Sequence, residues 1–205
     1  MHRATTQVDS LEEDLRLEIT ARSLCRRLSS RGFLLPESTA QEILEGLRSR
    51  PLLILEGCPG TGKSALAQLL PEVLRGPASN RTLYHRDIAN VGWTITDVIG
   101  GLEMIDDRVV PVLGCLTKAL VAALENRGQH WLILDELNRA DPREVLHPLL
   151  NVLGEERQPL KHPHLFLANS HEPVSFPIPA SFRIIATNNT VDLSNTLYSL
   201  EAAVL

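Results

Sequence analysis

Residues 52–70 read LLILEGCPGTGKSALAQLL, and the fold turns on this stretch. Leu52, Leu53, Ile54 and Leu55 come first, and a run that is apolar at every position suits a strand buried on both faces of a parallel sheet. Gly57-Cys58-Pro59-Gly60-Thr61-Gly62-Lys63-Ser64 then fits G-x-x-x-x-G-K-[ST], and helical spacing takes over across residues 64–70. Glycines let such a loop curl into a nest whose N–H groups surround phosphate oxygens, and the helix that follows adds its positive N-terminal end. Average residue usage yields the bare pattern in roughly one percent of chains this long. A chance glycine-rich turn needs neither a strand before it nor a helix after it, and here both are present.

The loop makes Gly57, Cys58, Pro59, Gly60, Thr61, Gly62, Lys63, Ser64 and the adjoining Ala65 the expected nucleotide-binding set. Lys63 is expected to reach the β- and γ-phosphates of a nucleoside triphosphate, and the Ser64 hydroxyl to ligate Mg²⁺. Two more apolar runs, residues 131–134 and 183–186, lead directly into polar residues, with a helical stretch over residues 116–125 between the first pair of strands. The resulting β-α-β pattern places active residues at strand C-termini, where open α/β sheets bind ligands. After the strand at 131–134 come Asp135 and Glu136, read as Walker B. Asp135 would hold Mg²⁺ through water, while Glu136 orients and deprotonates the attacking water. After the strand at 183–186 come Thr187, Asn188 and Asn189. Amides at this point could hydrogen-bond a γ-phosphate or its water, although Asn-Asn-Thr equally suits a turn.

Composition limits the alternatives. The 205 residues suffice for one α/β domain and a short appendage. A formal charge of -5 argues against a broad nucleic-acid surface, which needs clustered Lys and Arg. Cys25, Cys58 and Cys115 form an odd, widely spaced set, unlike a disulfide framework or a zinc site, and fit reduced thiols in a cytoplasmic protein. Cys58 lies inside the loop, where the nest and the helix end would stabilise a thiolate. The N-terminus is charged where a signal peptide would be apolar, and no apolar run approaches the roughly 20 residues that span a bilayer, so no membrane partner is expected.

Ahead of the first strand, Ser10 and Glu13 fit a capping box and predict a helix over residues 10–30, with Gly32 as its stop. A second helix follows Pro36 and ends near Pro51. Residues 1–50 are thus expected to form a helical leader, and residues 51–205 the nucleotide-binding core. Residues 155–180, rich in prolines and histidines, suggest an inserted hairpin or loop. His162, His164 and His171 fall there, and a His-x-His pair can bind metal, but no Cys or acidic pattern completes a zinc set.

With these residues in place the chain resembles the AAA+ superfamily over about residues 40–205, in the branch of MoxR-type ATPases, McrB-type restriction GTPases and dynein-related modules. GCPGTGKS at 57–64, WLILDELNRA at 131–140, LLNVLGEERQPL at 149–160 and FRIIATNNTVD at 182–192 carry the resemblance. Trp93-Thr94 and Asp97-Val98-Ile99-Gly100-Gly101 resemble the segment before this branch's second strand–helix unit. The implied fold is that of a P-loop NTPase: a three-layer α-β-α sandwich with a mostly parallel sheet, an AAA+ core without the C-terminal lid. The resemblance makes Asn189 the sensor-1 residue and puts Asn138 and Arg139 in a D-E-x-N-R signature. It implies ATP, with GTP as the alternative, Mg²⁺, a homo-oligomeric ring, and an effector or nuclease partner. It also places the arginine finger, sensor 2 and lid beyond Leu205, so an ATP hydrolase weak in isolation is expected, with Lys63, Glu136 and Asn189 as its catalytic residues. A nucleotide-binding scaffold without turnover is the contrasting class.

Overall fold

The computed structural model describes residues 19–75, 83–126, 130–154 and 157–189. Its centre is a four-stranded sheet of β1 (Leu52–Gly57), β2 (Tyr84–Ile88), β5 (Trp131–Asp135) and β8 (Ile184–Asn189), in the order β1-β8-β5-β2 with every neighbouring pair parallel. Two antiparallel hairpins interrupt the connections: β3 (Gly100–Ile105) with β4 (Arg108–Leu113), and β6 (Leu160–Phe166) with β7 (Pro173–Phe176). The helices are α1 (Ala21–Ser29), α2 (Glu37–Ser49), α3 (Lys63–Arg75), α4 (Ile95–Val98), α5 (Cys115–Glu125) and α6 (Pro142–Leu153).

The central strands are apolar throughout because successive side chains enter different cores. Trp131 and Ile133 of β5 and Ile185 of β8 join Leu24, Leu44, Leu47, Leu66 and Leu70 of α1, α2 and α3. Leu132 and Leu134 of β5 and Ile184 and Ala186 of β8 join Leu116 and Leu120 of α5 and Leu149 of α6 on the opposite face. A period of two, buried on both sides, produces the α-β-α sandwich. Strand β2 lies at the sheet edge and its sequence, Tyr-His-Arg-Asp-Ile, carries the charges that edge strands tolerate.

Helix α1 starts later than its sequence pattern suggests. Thr20 is extended, and its hydroxyl accepts the Ser23 N–H at 3.3 Å, so it caps a helix beginning at Ala21. A continuous helix over 10–30 is therefore broken at Thr20, and the Ser10–Glu13 pair lies outside the described residues. The leader helices share the core of the sheet. Arg27 donates to the Val73 carbonyl at 2.6 Å, and Arg183 to the Leu47 carbonyl at 2.9 Å.

Strand β8 also runs three residues past its apolar stretch, because Thr187, Asn188 and Asn189 pair in register with Leu55, Glu56 and Gly57 of β1. The amides sit on a strand, and the turn reading is set aside. The hairpin β6–β7 occupies the segment read as an insert. His162 within it is fully buried, with Nε2 2.9 Å from the Val112 carbonyl, and so ties this hairpin to β4.

Candidate functional site

Strand β1 delivers the loop and helix α3 receives it. Gly57, Gly60 and Gly62 have φ of 156°, 82° and 86°, values that side-chain-bearing residues rarely adopt. At Gly60 a Cβ would project into open space, whereas at Gly62 it would come within 2.9 Å of the Phe33 ring in the leader. The curl is closed from inside by Thr61, whose hydroxyl donates to the Cys58 carbonyl at 2.9 Å, and α3 opens with Leu66 N–H on the Gly62 carbonyl. Lys63 Nζ lies on the loop's own carbonyls, 2.9 Å from that of Gly57 and 2.7 Å from that of Cys58. Cys58, Pro59 and Ala65 are exposed, and Cys58 carries a free thiol.

Strand β5 brings the two acids to this loop. The Ser64 hydroxyl donates to Asp135 Oδ1 at 2.8 Å, the same oxygen takes the Thr187 hydroxyl, and Arg86 Nη2 lies 2.5 Å from Oδ2. Burial pushes the Asp135 carboxyl up, but the hydrogen bonds from Arg86, Thr187 and Ser64 outweigh it, so the group is held below the usual carboxylate range. A carboxylate kept ionised beside a hydroxyl oxygen is a donor set suited to a hard, oxygen-seeking cation such as Mg²⁺. The donor set and the open, glycine-lined cradle both fit a metal-bound polyphosphate.

At Glu136 the chain leaves the sheet in a left-handed conformation, φ 56°, and turns into a short 3-10 segment, Leu137–Arg139. For a residue with a side chain that conformation costs about 1–2 kcal/mol. Here Glu136 N–H donates to Thr187 Oγ1 at 3.0 Å, which anchors the turn. Its carboxylate pairs with Arg139 Nε at 2.9 Å. Asn138 Oδ1, in the same turn, is buried and lacks a hydrogen-bond partner among the described residues. Backbone strain and an unmet buried polar group are features that cluster at functional turns.

The two asparagines of β8 separate. Asn188 is buried and donates to Glu56 Oε1 at 3.1 Å, which ties β8 to β1 just before the loop. Asn189 is half-buried and registers with Gly57, beside the loop's first glycine.

Sequence reasoning did not single out Thr187 or Arg86. Thr187 could have been noticed as a hydroxyl closing a buried apolar strand two residues before Asn189. Arg86 gives no such signal, because β2 has no apolar run. Cys115, by contrast, has no place in the site: it is buried, and burial foremost, with Asp87 adding to it, pushes its thiol up to about 12.

Residues 52–204 match the model of the AAA domain, dynein-related subfamily, which takes in the loop, both acids and β8. The chain belongs to this family. Among relatives of the AAA domain, Chaperone MoxR1 of Mycobacterium tuberculosis is 27% identical over 162 residues, covering 76% of this chain and 34% of that protein. The Type IV methyl-directed restriction enzyme EcoKMcrB subunit of Escherichia coli is 24% identical over 177 residues, covering 84% of this chain and 38% of that one. The AAA domain thus spans little more than a third of the length of the curated relatives it matches. A candidate ATPase from Cytophaga hutchinsonii, solved by crystallography, superposes with a TM-score of 0.47 at 16% identity, covering 96% of this chain and 47% of that one. No helix among the described residues is long and apolar enough to cross a membrane.

Proposed function

We propose that this AAA domain binds ATP with Mg²⁺ and hydrolyses it to drive remodelling within a ring of subunits. One observation carries the nucleotide reading. Ser64 of the loop and Asp135 of β5, 71 residues apart in sequence, meet at 2.8 Å at the C-terminal end of a parallel sheet. Phosphoryl transfer is mostly positioning and charge neutralisation, and a hydroxyl beside an ionised carboxylate supports a reading in which these residues serve both. Backbone N–H groups of residues 57–64 would cradle the phosphates, and Lys63 would exchange the loop carbonyls for phosphate oxygens. Ser64 and Asp135 would hold the metal, which when bound neutralises charge on the phosphate oxygens. Glu136 would orient the attacking water and take its proton, with Asn189 beside the loop entrance contacting the terminal phosphate.

The test is nucleotide binding and hydrolysis by two variants. Lys63→Ala is expected to abolish tight triphosphate binding, whereas Glu136→Gln keeps binding and loses hydrolysis, since one contacts phosphate and the other handles water. Equal nucleotide affinity for wild type and Lys63→Ala would sink the assignment. The remodelling part draws support from the likeness to a chaperone, and the ring from the family that residues 52–204 match. The restriction-enzyme relative supports a second reading, a GTP-dependent motor subunit acting with a nuclease partner. Competition of ATP and GTP for the purified protein separates the two.

A further inference from the structure

Both oxygens of the Walker B carboxylate are engaged by the protein itself. Oδ1 of Asp135 takes the Ser64 and Thr187 hydroxyls, and Oδ2 is engaged by the Arg86 guanidinium at 2.5 Å. A metal ion held by Asp135 through water needs one of these oxygens. The two hydroxyl donors are compatible with that, because a serine oxygen can donate its proton to the carboxylate while its lone pair faces the cation. The guanidinium is not, because it brings a positive charge to the oxygen that a metal-bound water would approach.

The two sides of the ion pair differ in freedom. The Asp135 side chain is 4% exposed, held by two hydroxyls whatever Arg86 does, while that of Arg86 is 36% exposed on the edge strand β2. Asp135 is therefore fixed and Arg86 is able to leave. Among the described residues the other cations of the site lie elsewhere: Lys63 on the carbonyls of Gly57 and Cys58, and Arg139 on Glu136.

We infer that Arg86 is a positioning residue that stands in for the metal: it neutralises Asp135 while no metal is bound, and Mg²⁺ competes with its positive charge at Oδ2. Arg86 thereby sets how much Mg²⁺ the site requires. The inference rests on the nucleotide reading above. A guanidinium and a divalent cation a few ångströms apart near a protein surface repel strongly enough that losing the guanidinium should raise metal affinity at least about tenfold.

The experiment titrates Mg²⁺ against binding of a fluorescent ATP analogue to the full chain, for wild type, Arg86→Met and Arg86→Lys. Arg86→Met keeps an apolar stem without the charge, and its half-saturating Mg²⁺ should fall at least about tenfold. Arg86→Lys keeps the charge and should stay near wild type. A folded Arg86→Met, judged by thermal unfolding, whose Mg²⁺ requirement is unchanged or higher would overturn the inference. If Arg86→Met does not fold, the side-chain ¹⁵Nε resonance of Arg86 in wild type, assigned with Arg86→Lys, decides. It should move with Mg-nucleotide and not with nucleotide plus chelator, and a resonance indifferent to Mg²⁺ overturns the inference equally. Wild type that binds no nucleotide at any Mg²⁺ concentration would overturn the nucleotide reading as well, which distinguishes the two failures.

Discussion

At the scale of single residues, Thr187 joins the two acids that the proposed chemistry needs. Its hydroxyl donates to Asp135 and accepts from the Glu136 N–H, so one oxygen fixes a carboxylate and holds a left-handed turn. Thr187→Val keeps the shape and removes both bonds. The Glu136 N–H is then left without its partner, a loss of about 1–3 kcal/mol. A fall in unfolding free energy of that size is expected, together with reduced hydrolysis, while Thr187→Ser restores both. Denaturant unfolding beside a turnover assay checks this, and a valine variant that keeps wild-type turnover would show that the turn does not depend on the hydroxyl. Thr187 was hard to read in the sequence for a physical reason: its partners lie on another strand, and the pairing of β5 with β8 appears only on folding. Lys63 and Ser64 could be singled out from the spacing of one continuous motif, and Asp135 and Glu136 from the end of an apolar run, both of which are local in sequence. Whether Asn188 or Asn189 faces the site follows from strand register, which leaves no local mark.

At the scale of elements, legibility followed hydrophobic continuity. Strands β1, β5 and β8 are apolar on both faces and stood out. Strand β2 is charged, and β3 and β4 leave Leu102, Met104, Ile105 and Val109 exposed on a two-stranded hairpin, so no clean alternation announces them. The helix read across 10–30 shows the opposite error, since a regular apolar spacing passed over a threonine cap. The two hairpins meet at a tight point that the sequence could not reveal. Gly100 has φ of 124°, and a Cβ there would lie 2.3 Å from the Val112 carbonyl and 2.4 Å from His162 Nε2. Gly100→Ala must displace either the β3–β4 ladder or the buried His162, combining an unfavourable backbone conformation with overpacking that costs about 1–3 kcal/mol. Amide hydrogen exchange should show faster exchange across β3, β4 and β6 in this variant, with the central sheet little changed. Unaltered protection in the hairpins would mean that the junction yields without cost.

At the scale of the whole molecule, the site occupies one end of one sheet, and its positive charges are already engaged within the chain. Arg86 is on Asp135, Arg139 is on Glu136, and Arg157 is half-buried with Nη1 2.6 Å from the Pro179 carbonyl at the base of the second hairpin. Burial lowers the Arg157 pKa, yet an arginine keeps its charge, so this residue serves as an anchor for the hairpin rather than as a group aimed at phosphate. Charge that develops on a transferring phosphoryl group would therefore be met, within one protomer, by Lys63 and the metal. An arginine supplied from outside the site is worth about 10³–10⁵ in turnover. A polypeptide of residues 1–205 is accordingly expected to bind Mg-nucleotide and to turn it over very slowly, at a rate per protomer that does not change with protein concentration. Steady-state hydrolysis of ATP and of GTP, measured across a wide range of protein concentration, tests this directly. Fast turnover that climbs steeply with concentration would mean that neighbouring copies complete the site through residues of this chain, with Arg139 as the first to substitute, because its side chain is exposed and its described ion pair is the one to Glu136.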